Sequence, residues 1–78
     1  MRLSVARREF ARAVALGREA LAADPNDAET HYMLGLVFIS MDSLVQAREH
    51  LSRAAALEPG QHAIRDALQA VESRLQGR

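Results

Sequence analysis

The sequence predicts an all-α fold of four antiparallel helices stacked as helix-turn-helix pairs, and three observations predict it. Apolar residues recur at steps of three and four through four separate stretches, the spacing that gives a helix one apolar face. Two similar polar stops, ALAADPND and AAALEPGQ, carry Pro25 and Pro59, and proline cannot continue a helix. Aromatic residues make up only 4% of the chain while alanine is abundant, which favours closely packed helices over a sheet.

The first helix is expected over residues 3–23. Its stripe is Leu3, Ala6, Phe10, Ala13, Val14, Gly17, Ala20 and Leu21. Gly17 costs about 1 kcal/mol relative to alanine inside a helix, a cost that makes sense where another helix packs close. Asp24-Pro25-Asn26-Asp27 ends this helix and starts the next. Asn26, followed three residues later by Glu29, fits a capping box. The second helix is expected over 27–40, with His31, Leu34, Gly35 and Phe38 on one face and Tyr32, Leu36 and Ile39 on another. Met41-Asp42-Ser43 forms the break, and Ser43 with Gln46 makes a second capping box. The third helix is expected over 44–57, facing inward through Leu44, Ala47, Leu51, Ala54 and Ala55. After Glu58-Pro59-Gly60 the fourth is expected over 61–75, with the stripe Ile64, Ala67, Leu68, Val71 and Leu75.

Composition removes several function classes. Seventy-eight residues make one domain, 1–78, with a modest core. The formal net charge is zero, and the ten basic residues are all arginines scattered along the chain. That is not the basic stripe of a nucleic-acid binder, so no nucleic-acid partner is expected. There are no cysteines, so disulfides and thiol chemistry are excluded. No apolar run approaches the roughly 20 residues of a membrane span, and MRLSVARREF lacks a signal-peptide core. The chain is therefore expected to be cytoplasmic and not inserted in a membrane.

Candidate chemical sites are few. His31, His50 and His62 show no pairing at the i, i+4 spacing of a helical zinc site, so His31 is read as a core ring and no metal is expected. The oxygens from Asp24 to Glu29 lack the glycine and downstream glutamate of a calcium loop; capping explains them. No serine sits in a nucleophile elbow and no glycine-rich loop could cradle phosphate. No cofactor and no enzymatic activity are expected. The alternative, a small metal-binding or enzymatic domain, has no residue pattern behind it.

Self-comparison gives a period of 34 residues: Ala13 recurs as Ala47, Ala20 as Ala54, Pro25 as Pro59 and Leu34 as Leu68. Two helices per ~34 residues is the period of a tetratricopeptide array. Residues 28–61 resemble one complete repeat of that family through His31, Leu34-Gly35, Phe38, Ala47, Leu51, Ala54 and Pro59. Gly35, Ala47 and Ala54 are small where two helices must approach; Leu34, Phe38 and Leu51 fill the space around them. His31 stands where the family has a tryptophan, and Asp42 where it has a turn glycine, a position aspartate reaches in left-handed geometry at some cost. By the same resemblance, 3–23 is the second helix of a partial repeat, 27–58 holds the complete helix pair, and 61–75 is a solvating cap, since Gln69 follows Leu68 in place of glycine. The fold implied is an α-solenoid fragment.

The resemblance implies a protein-interaction module that binds a protein or peptide partner. Carried over, the groove positions are Glu29, Tyr32, Leu36, Ile39 and Ser40, with Ala63, Asp66 and Ala70 from the last helix. The lysines and asparagines of the family's carboxylate-gripping members are missing there. A homo-oligomer is the second expected route, because the leading helix carries Leu3, Ala6, Phe10, Val14 and Gly17 where a partner helix would sit.

Overall fold

The computed structural model describes the backbone of residues 2–77 and the side chains of residues 9–77. Four helices follow one another: α1 (Arg2–Ala23), α2 (Ala28–Ser40), α3 (Leu44–Leu57) and α4 (His62–Gln76). Each begins and ends within a residue or two of its sequence-derived limits. The capping of α2 and α3 follows a different route from the one expected.

At the start of α2 the cap is Asp27, not Asn26. One Asp27 oxygen accepts from the backbone N–H of Glu29 (3.2 Å) and of Thr30 (3.4 Å), and the other accepts from the Thr30 hydroxyl at 2.8 Å. One oxygen thus serves both orphan N–H groups, the other takes a hydroxyl proton that an amide nitrogen could not accept, and the carboxylate charge suits the positive end of the helix dipole. Asn26 instead donates its own backbone N–H to Asp24 Oδ1. These bonds hold the Asp27 carboxyl below its usual value, the Thr30 hydroxyl contributing most.

The second expected capping box is also absent. Ser43 occupies the cap of α3 but makes no side-chain capping bond. Its backbone is already committed to closing α2: Ser43 N–H donates to Phe38 O at 2.8 Å, and Asp42 N–H donates to Ile39 O at 2.9 Å. That bond pair is a Schellman closure, whose turning residue must be left-handed. Asp42 has φ 61°, the one non-glycine residue among those described with positive φ. Asp42 thus holds the left-handed geometry expected of it, at a cost of roughly 1 kcal/mol. The Arg74 guanidinium donates to Asp42 Oδ1 at 3.4 Å, joining the end of α4 to this turn. Both side chains are about half exposed, so the pair adds little stability.

The core lies between α2 and α3. Leu34 and Phe38 from α2 meet Leu44, Ala47 and Leu51 from α3, with Val14 of α1 and Val71 of α4 closing the two sides. Two close approaches make the packing possible. A Cβ on Gly35 would lie 2.6 Å from Leu51, and one on Gly17 would lie 2.6 Å from Leu34. The helix-propensity cost of both glycines thus goes with direct backbone-to-leucine contact, α2 on α3 and α1 on α2. Each helix packs chiefly on the next one in the chain, and α4 also touches α2.

Candidate functional site

An open cleft of about 570 Å³ lies between the starts of α2 and α4. One wall is the α1–α2 turn and the first turns of α2, with Asp24, Asn26, Asp27, Ala28, Glu29 and Tyr32. The other is the α3–α4 turn and the start of α4, with Leu57, Glu58, Gln61, Ala63 and Ile64. This arrangement follows from the repeated stop. Each polar stop ends one helix and launches the next, so two stops bring two helix starts side by side. The floor is apolar through Tyr32, Leu57 and Ile64. The rim carries four carboxyl groups, Asp24, Asp27, Glu29 and Glu58, and no cation. The chain as a whole is charge-balanced, so acidic charge is concentrated here.

Of the groove positions expected from sequence, Glu29, Tyr32 and Ala63 meet in this cleft. Leu36, Ile39, Ser40, Asp66 and Ala70 lie outside its lining. Leu36 is 38% exposed. Ile39 and Tyr32 are half-buried and pack partly against the core. Ser40 is exposed, and its hydroxyl donates back to Leu36 O at 3.2 Å. Asp66 and Ala70 are exposed on α4.

The self-association stripe divides. Val14 is 9% exposed and belongs to the core, and Gly17 is buried against Leu34, so the chain's own α2 covers both. They form no open surface for a second copy. Phe10 is half-buried. Leu3 and Ala6 lie outside the residues whose side chains are described. Among the described side chains of α1 the large exposed apolar residue is Leu16, 59% exposed, which falls off the predicted stripe.

A histidine pair stands behind the α1–α2 turn. His31 is 6% exposed. Its Nε2 lies 2.9 Å from Pro25 O, and its Nδ1 lies 3.1 Å from Nδ1 of His50 on α3. His50 stacks on Phe38 with centroids 5.5 Å apart and planes 16° apart. His31 is thus a core ring as expected, but its partner was not anticipated. The signal was present: His50 is three residues after Ala47 and four before Ala54, on the inward stripe of α3. Burial holds His50 below its ordinary value, and the charges of His31, Arg18 and Arg53 act in the same direction while Glu49 opposes them.

Among the described residues, no three His, Asp or Glu side chains converge in a group that could hold a metal ion. No helix among them is long and apolar enough to cross a membrane. A family model for the tetratricopeptide repeat matches residues 4–71. No curated protein and no solved structure matches the chain.

Proposed function

The chain belongs to the tetratricopeptide repeat family, and from that premise we propose that it is a non-catalytic interaction module whose cleft takes a segment of a partner protein bearing a cationic and an apolar side chain. Repeats of this family generally mediate protein–protein contacts. The observation that carries the finer reading is the lining of the cleft: an apolar floor of Tyr32, Leu57 and Ile64 beneath four carboxyl groups with no cation among them. An arginine or lysine of the partner would meet the rim while a neighbouring apolar side chain covers the floor. Leu36, Ile39 and Ser40 on α2, with Asp66 and Ala70 on α4, would extend the contact beyond the cleft. In this reading α1 is the second helix of a partial repeat, α2 and α3 form the complete one, and α4 is the cap.

Backbone-amide NMR of the full chain tests it. Short peptides of one apolar sequence carrying arginine, alanine or glutamate are titrated in turn. The arginine peptide is expected to move the signals of Glu29, Tyr32 and Ala63, less so as salt is added. Glu58→Lys should weaken that binding roughly two- to five-fold, the scale of one exposed charge pair. Equal responses to all three peptides, or shifts confined to α1, would overturn the reading.

A further inference from the structure

We propose that His31 and His50 form a proton-operated latch, which ties α2, with the α1–α2 turn bonded to it, to α3 until both rings are charged and then releases that tie.

Pro25 O can only accept a hydrogen bond. Its contact with His31 Nε2 at 2.9 Å therefore requires a proton on Nε2. In neutral His31 that leaves Nδ1 bare, and a bare nitrogen 3.1 Å from His50 Nδ1 must accept. His50 Nδ1 must then carry its proton, and His50 Nε2 is the bare atom. One set of tautomers satisfies the whole chain from His50 through His31 to the turn.

Added protons act in two stages. The first can sit on His50 Nε2 and leaves the ring-to-ring bond intact, with His50 Nδ1–H still donating. The second places a proton on His31 Nδ1. Two N–H groups would then face each other at 3.1 Å, between two charged rings, and the bond cannot survive. The surroundings bear on both stages. Arg18 from α1 and Arg53 from α3 oppose charge on His50, Glu49 from α3 favours it, and Asp27 at the start of α2 is coupled to charge on His31. The half-buried His50 ring also loses hydration when charged, and stacks on Phe38.

The sign of the pH effect follows. His50 titrates in the folded chain below its ordinary 6.5. The folded state then binds fewer protons than the unfolded state as pH falls through and below 6.5. Stability is complete above that value and declines beneath it. The carboxyl of Asp27 behaves in the same direction but in a separate window, below 3.8. Charged His31 keeps its Nε2 proton and its bond to Pro25 O, so the turn stays on α2 and moves with the start of that helix; it carries Asp24, Asn26 and Asp27, one wall of the cleft. A consequence for partner binding rests on the function proposed above; the latch itself does not.

Long-range proton–nitrogen NMR of the full chain at pH 8 is the direct test. It should find His31 protonated at Nε2 and His50 at Nδ1. Acidification to pH 5 should shift the amides of Leu34 and Leu51, on the two helices that the pair joins, and lower Tm by about 5 °C or more. His50→Gln keeps a donor for His31 Nδ1 but cannot take a proton, and should lose clearly less Tm over the same range. Both proteins carry His62→Gln, so that the comparison isolates His50. The opposite His50 tautomer, or an equal Tm loss in His50→Gln, would overturn the latch. If His50→Gln does not fold, the tautomers of the unsubstituted pair decide the matter. Peptides that fail to shift Tyr32 while the tautomers stand as stated would remove the cleft reading and leave the latch in place.

Discussion

Leu51→Ala is expected to remove about 2–5 kcal/mol of stability. Leu51 is 0% exposed and is among the largest fully buried side chains of the fold. It sits on the backbone of α2 at Gly35, between the two helices that form the core. Truncation loses the transfer energy of its methyl groups and leaves a cavity that rigid helices on both sides cannot close. A domain of this length has a total stability on the order of 4–12 kcal/mol, so the loss is a large share of it. By thermal melting followed at 222 nm, Tm should fall by about 10–40 °C. A fall smaller than about 4 °C would mean that the contact between α2 and α3 is not the centre of the fold.

Gly35→Ala is expected to destabilise the chain by about 1–3 kcal/mol, although alanine in a helix normally gains about 1 kcal/mol over glycine. The decision between these effects comes from the space available. The new Cβ would lie 2.6 Å from both Cγ and Cδ2 of Leu51, which has no exposed surface and no room to withdraw. The sign should reverse in the Leu51→Ala background. There the added methyl enters the cavity, and Gly35→Ala becomes stabilising. This coupling between touching residues is measured by a double-mutant cycle. Gly60 supplies the control, with nothing within 4 Å of an added Cβ and no positive φ. Gly60→Ala should be neutral or gain up to about 1 kcal/mol. Additive effects of Gly35→Ala and Leu51→Ala would refute the close-approach argument.

Helix positions were legible in the sequence because the apolar spacing and the prolines constrain each helix locally. The caps were less so. Asn26 and Asp27 are both good cap residues, and which one serves depends on where the chain leaves α1. Ser43 had the right spacing to Gln46, but its backbone was already claimed by the left-handed turn at Asp42. The cleft was half legible. Glu29, Tyr32 and Ala63 fall in it, whereas Asp24 and Glu58 enter only because two turns come to lie side by side, which no single window of sequence displays. The histidine pair was hidden for the same reason. His31 and His50 are 19 residues apart and meet only when α2 and α3 fold back on one another. Val14 was misplaced as surface because the stripe of α1 gives the direction of burial but not which helix provides the cover.

Since each helix leans chiefly on its successor along the chain, few contacts need distant segments to find each other. Chains dominated by local contacts fold in microseconds to milliseconds, because little loop entropy is lost before contacts repay it. The α2–α3 hairpin, with the shortest connection and the deepest burial, is the natural nucleus, and α1 and α4 would add to it from either side. The same linear order means that opening α1 exposes one face of α2 without separating α3 from α4, so the two ends of the chain can fray independently.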